Sequence, residues 1–136
     1  LIACTLMAAI ASIQFGAAAL GAAPAAGMVA QTSSQGGVNI TVEPPGFTRG
    51  AATWDFTITL ETHTQPLDDD LVRTSSLIAD GKPYRPLVWE GSPPGGHHRK
   101  GVLSFAGVTP RPQAVELQIR RPGEASPRVF RWQMGP

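Results

Sequence analysis

The sequence predicts an all-β protein, an immunoglobulin- or fibronectin-like β-sandwich of about seven short strands, preceded by an apolar N-terminal signal or anchor helix. Three observations carry that prediction. Apolar residues recur with period two in several separate segments, as in strands with one buried face. The 13 prolines and 15 glycines of the 136 residues punctuate those segments roughly every ten residues, a sandwich spacing. The most strongly patterned segment, 53–61, has no helical stripe and is rich in β-branched residues.

The chain divides into an apolar segment 1–30, a polar linker 31–37 and a sandwich domain 38–136. From Leu1 to Ala30 no side chain is charged, and the first charge is Glu43. Such a run would have to be buried on every side in a globular domain, so it reads as an export signal or membrane anchor. Leu6 to Leu20 forms the apolar region, and 21–30 offers small-x-small cleavage sites, among them Ala22-Ala23-Pro24 and Met28-Val29-Ala30. Cleavage after Ala30 would start the mature chain at Gln31. If retained, the run is long enough to span a bilayer, for which about 20 apolar residues suffice. Leu1-Ile2-Ala3-Cys4 has the look of a lipobox, but the apolar run continues past Cys4 instead of preceding it. The expected location is extracytoplasmic: secreted, periplasmic or cell-surface, with the membrane met only through this segment.

Cys4 is the single cysteine, so the domain itself holds no disulfide and no thiolate metal site. Eleven basic and ten acidic residues leave a formal charge of +1, which provides no field for nucleic acid or an anionic membrane.

Element by element, Gln31 to Gly37 is polar and glycine-rich, as linkers are. Val38, Ile40 and Val42 alternate with Asn39, Thr41 and Glu43, and Pro44-Pro45 ends that strand. Trp54, Phe56, Ile58 and Leu60 form the apolar face of the clearest strand, which breaks at Gln65-Pro66. Leu67 to Leu71 is a connection or a helical turn, with an Asp capping a short helix through Leu71 and Val72. Thr74 to Ile78 is a strand followed by the Asp80-Gly81 turn. Leu87 to Trp89, close to Pro83 and Pro86, is an edge strand. His98 to Phe105, Ala114 to Arg120 and Arg128 to Gln133 complete the set, the last two joined through Arg121-Pro122-Gly123-Glu124.

Candidate chemistry concentrates in Trp89-Glu90-Gly91-Ser92-Pro93-Pro94-Gly95-Gly96-His97-His98-Arg99. Two of the three histidines lie there, and His63 ends the clearest strand. Neutral imidazoles ligate copper or zinc, and His63, His97 and His98 with Asp70 form the candidate metal set. Adjacent residues of a strand point to opposite faces, so His97 and His98 share an ion only where the backbone bends. The competing reading gives one histidine a structural hydrogen bond and the other to solvent. Asp68-Asp69-Asp70 has the oxygens of a calcium site without its loop pattern. Arg99, Arg128 and Arg131 are placed to stack on Trp89, Phe130 and Trp132; Trp54 and Trp132 alternate as core residues. No nucleophile elbow, phosphate loop or dinucleotide fingerprint is present around Ser75, Ser76, Ser92 or Ser104.

These segments, with the closing Arg128-Val129-Phe130-Arg131-Trp132, resemble small exported prokaryotic β-sandwich proteins that carry a W-x-G-x-P-P-G-G-H-H-R segment and have no assigned function. The resemblance implies export and one compact β domain. The sequence therefore points to an exported or membrane-tethered binding module for a metal, a small ligand or a protein, or to a structural or protein-interaction domain at the cell surface without metal or catalysis.

Overall fold

The computed structural model describes residues 28–135; the segment 1–27, with Cys4 and most of the expected leader, lies outside them. In chain order the described elements are β1 (Gln31–Gln35), β2 (Val38–Glu43), β3 (Thr53–Thr62), α1 (Leu71–Thr74), β4 (Ser75–Ala79), β5 (Lys82–Tyr84), β6 (Val88–Gly91), β7 (His98–Ala106), β8 (Ala114–Ile119) and β9 (Arg128–Gln133). All pairings are antiparallel. One sheet runs β1-β2-β3-β7-β6 and the other β5-β4-β8-β9. With β1 set aside, the two sheets have the A-B-E-D and C′-C-F-G orders of the immunoglobulin fold.

The period-two segments become strands because each buries one face against the opposite sheet. Ile40, Phe56, Ile58, Leu60, Leu77, Leu103, Phe105, Leu117 and Ile119 are fully enclosed. Phe56 sits at the centre of an aromatic cluster, with ring centroids 5.9 Å from Phe47, 5.6 Å from Phe105 and 5.6 Å from Trp132. The first two are edge-to-face and the third is tilted, and aromatic contacts of this kind stabilise beyond the area they bury. Trp54 and Trp132 are core residues, as their alternation predicts. The edge position of β6 also agrees with the sequence.

Two strands were hidden in the composition. Gln31–Gln35, expected as linker, pairs along its whole length with β2, from Gln31 opposite Val42 to Gln35 opposite Val38. Its polar side chains are tolerated because an edge strand contributes mainly backbone. Gly36 (φ +57°) and Gly37 (φ +78°) supply the two left-handed residues of the connecting hairpin turn. β5 follows the Asp80-Gly81 turn, and Pro83 is accommodated because β5 is an edge.

Without a disulfide, buried arginines join what packing alone leaves loose. Arg121, just beyond β8, makes a two-pronged pair with Asp69, Nε to Oδ2 at 2.8 Å and Nη2 to Oδ1 at 3.1 Å, and also donates to the Pro66 carbonyl. Arg99 on β7, 1% exposed, donates through Nη1 to the carbonyls of Leu67 and Asp69. Arg128 on β9 reaches the carbonyls of Ser33, Gln35 and Val38 while holding both carboxylate oxygens of Glu124. Arg111 bridges the carbonyls of Phe47 and Met134. The planar guanidinium suits this use, since one group serves several acceptors in fixed directions.

Asp69→Ala removes the two-pronged partner of the buried Arg121 and leaves it only Glu124, at 3.9 Å, as an acidic partner; it is expected to cost about 3 kcal/mol in chemical denaturation. Asp69→Ala combined with Arg121→Met should lose markedly less than the sum of the single changes.

The Arg128 hydrogen bonds hold the Glu124 carboxyl below its ordinary value of 4.5, against an opposing effect of burial. A depressed folded-state value means that this contribution is complete above pH 4.5 and disappears as the pH falls through the lower folded value. Glu124→Gln should therefore flatten the acid limb of a stability-against-pH curve; an unchanged limb would contradict the assignment.

Candidate functional site

The end of β3 and the start of β7 meet at one end of the sandwich. Glu61 pairs with His98 in the ladder, and the next step is closed by the Thr62 amide donating to the His97 carbonyl at 3.0 Å. Gly37, Asn39, Glu61, Thr62, His63, His97 and His98 line an open hollow of about 390 Å³. A second hollow of about 350 Å³ is lined by His63, Thr64, Gln65, Pro66, Asp68, Gly95, Gly96 and His97. His63 and His97 belong to both. All three histidines are thus brought to the same end of the domain, although His63 and His97 are far apart in sequence.

Thr62 organises this region. Its buried hydroxyl donates to the Gly37 carbonyl at 2.8 Å and accepts from the amides of Thr64 and Gln65 at 3.2 and 3.0 Å. One side chain therefore ties the β1–β2 turn to the chain leaving β3. Ahead of β7, Gly95 (φ +107°) and Gly96 (φ +74°) bend the backbone in a region that L side chains rarely adopt. The bend precedes the histidine pair, and both histidines line the first hollow.

The histidines are not equivalent. His97 Nδ1 lies 3.3 Å from the Thr62 carbonyl. A carbonyl only accepts, so Nδ1 carries the proton and Nε2 of the neutral ring keeps its lone pair. His98 Nδ1 is 3.3 Å from Glu61 Oε1, with both side chains more than half exposed. His63 is exposed and borders both hollows.

The acidic run separates into three different tasks. Asp68 lines the second hollow. Asp69 is buried against Arg121. Asp70 is the cap of α1, its Oδ1 accepting from the amides of Val72 and Arg73. Asp70 therefore does not line either hollow with the histidines, because its carboxylate is directed along the chain to the helix it starts. Among the described residues, no group of three or more His, Cys, Asp or Glu side chains is arranged to hold a metal ion.

Behind the hollows, Arg99 stacks on Trp89 with its guanidinium carbon 5.6 Å from the ring centroid, as the sequence suggested. Arg128 and Arg131 have other partners, the carbonyls of the β1–β2 hairpin and Glu116 respectively. Burial lowers the Arg99 guanidinium from its ordinary value, and Asp69, Asp68 and Asp70 oppose that effect. The Trp89 position depends on Gly101, where a Cβ would lie 2.6 Å from the Glu90 carbonyl oxygen and 2.7 Å from the Trp89 ring. Arg99 then also reaches the Ser92 carbonyl at 3.4 Å, and Trp89 Nε1 donates to the same oxygen at 3.0 Å. Ser92, Trp89 and Arg99 thereby secure the loop that delivers Gly95, Gly96 and His97.

The buried arginines escaped the motif search, yet their phase was visible. Arg99 continues the inward positions of Gly101, Leu103 and Phe105; Arg121 those of Leu117 and Ile119; Arg128 those of Phe130 and Trp132. An arginine in phase with an apolar face has to be enclosed and therefore needs carbonyl or carboxylate partners.

Thr62→Val keeps the shape of the side chain and removes the hydroxyl. It is expected to cost about 1–3 kcal/mol in thermal or urea unfolding and to release the amides of Thr64 and Gln65 in hydrogen exchange. Unchanged protection at those two amides would contradict the role given to Thr62.

No protein-family model matches the chain, and no curated protein matches it. Among solved structures, the 1.5 Å crystal structure of a secreted protein from Mycobacterium tuberculosis, MPT63, aligns over 82% of this chain and 98% of that one, with 18% identity and a TM-score of 0.45.

Proposed function

We propose that this chain is an exported β-sandwich binding module whose binding site is the histidine-lined end of the domain. The export half of the reading rests on the uncharged apolar segment 1–30. The binding half rests on one observation: His63 and His97 border the same two hollows, and His97 is hydrogen-bonded so that its Nε2 retains a lone pair.

The ligand class this favours is a borderline metal ion, copper or zinc, taken by imidazole nitrogen. Of the four residues first considered, His63 and His97 keep that role in the proposal. His98 is engaged with Glu61, and Asp70 with α1. Carboxylates border both hollows, Glu61 the first and Asp68 the second. Water or a ligand of the incoming ion completes the coordination. Were the N-terminal segment left uncleaved, it would tether the same module at a membrane surface.

A second reading has an observation of its own. Leu87 and Val88, at and just before the open edge strand β6, are 58% and 41% exposed. Among the described residues β6 is the last strand of its sheet, and a strand edge with exposed apolar side chains suits pairing with a strand of a protein partner.

Titration of the purified domain with Zn²⁺ and Cu²⁺, followed by calorimetry and bound-metal analysis, separates these readings. The proposal predicts saturable binding of one ion that is abolished by His63→Ala and by His97→Ala, and retained in His98→Ala and Asp70→Asn. Absence of saturable binding in the parent protein, or loss in Asp70→Asn alone, would overturn the metal site and leave the partner-binding reading.

A further inference from the structure

We infer that the leader is removed upstream of Met28, after Ala25 or Gly27, and that Met28, Val29 and Ala30 belong to the mature domain. The inference rests on the export reading and adds where processing occurs. Its ground is the use that the fold makes of these residues. The indole Nε1 of Trp132, a side chain only 1% exposed, donates to the Val29 carbonyl at 2.9 Å. Met28 packs partly buried against the core.

The residue that follows Ala30 is tied down as well. Gln31 uses its side-chain amide as a strand would use its backbone, with Nε2 donating to the Arg131 carbonyl at 2.6 Å and Oε1 accepting from the Arg131 amide at 3.3 Å. These contacts cover the outer edge of β9 and carry the chain from β1 across to the other sheet. Arg128 reinforces the same seam through Ser33 and Gln35. A chain beginning at Gln31 would lose the acceptor of a buried indole N–H and the Met28 packing, and would place an ammonium group at the first position of β1. Buried donors are rarely left without acceptors.

Signal peptidase meets an extended precursor, so folding does not shield the bond after Ala30. The choice of site has to come from the sequence and from what the mature fold retains. Small residues at positions −3 and −1 are required. Ala23-Pro24-Ala25 and Ala25-Ala26-Gly27 meet this requirement and leave Met28 in place. Both contain Ala25, as the −1 residue of the first and the −3 residue of the second.

Intact mass and N-terminal sequencing of the protein recovered from the extracytoplasmic fraction of cells expressing the native gene test the inference. Ala26 or Met28 is expected as the first residue. Gln31 as the first residue would overturn it while leaving export standing, and an uncut chain held in the membrane would overturn it in favour of an anchor. An uncut chain confined to the cytoplasm would instead defeat the export reading on which it rests. Ala25→Phe should accumulate precursor, whereas Ala30→Phe, at an exposed position, should be processed normally; the opposite pattern refutes the assignment. As an independent check, the chain starting at Met28 should melt about 4 °C or more above the chain starting at Gln31. Equal melting temperatures would remove the structural ground for the inference.

Discussion

The architecture depends on the buried pair between Arg121 and Asp69. In immunoglobulin domains a disulfide links the B and F strands through the core. Here the equivalent strands, β3 and β8, lie in different sheets and carry the buried Phe56 and Leu117, and neither contains a cysteine. The cross-link lies at the edge of the core instead. Arg121 leaves β8 and binds the carboxylate of Asp69, while Arg99 from the opposite sheet binds the carbonyl of the same residue. One loop residue thereby connects both sheets. Burying these charges is expensive, and such pairs are retained where they favour one arrangement over its alternatives. The alternative excluded here is a loose 66–70 segment, because five of the six hydrogen bonds made by the two guanidiniums end on Pro66, Leu67 or Asp69.

The site follows from that constraint. With Leu67 held by Arg99, its carbonyl also accepts from the Gly95 amide at 2.9 Å, which fixes the glycine turn relative to the 66–70 segment. Ser92 is held by Arg99 and Trp89 on the other side of the turn. His97 leaves the turn with its backbone closing the β3–β7 ladder and its ring on the Thr62 carbonyl. The imidazoles of His63 and His97 therefore stand beside the same hollows because buried arginines position the two loops that frame them.

Much of this layout was legible in the sequence, and what was missed has a physical explanation. Four of the seven expected strands, 38–43, 53–61, 114–120 and 128–133, announce themselves because their apolar residues alternate, a direct consequence of having one face against the opposite sheet; the others follow from short apolar runs between turn residues. β1 did not, because an edge strand is recognised by backbone pairing that leaves no apolar signature; the Gly36-Gly37 pair was its only local sign. β5 is three residues long and contains Pro83, too short for a period to show. For the acidic run the cap of a short helix through Leu71 is the commoner reading, and Asp70, one residue before Leu71, is that cap. Asp69 could not be told from its neighbours, since selecting it requires knowing where Arg121 arrives. The histidines were recognisable as a group because two of them adjoin a glycine pair, but the different partners of His97 and His98 depend on the β3–β7 register, which composition does not encode.

The arginine frame gives His97 one fixed orientation, with Nδ1 protonated and Nε2 carrying the lone pair. Ring ¹⁵N spectroscopy of the histidines at pH 8, in the parent protein and in Arg99→Met, tests it most directly. The account predicts a single Nδ1–H tautomer for His97 in the parent and an exchanging mixture once Arg99 no longer holds the loops. A parent spectrum in which the His97 proton resides on Nε2 would contradict it.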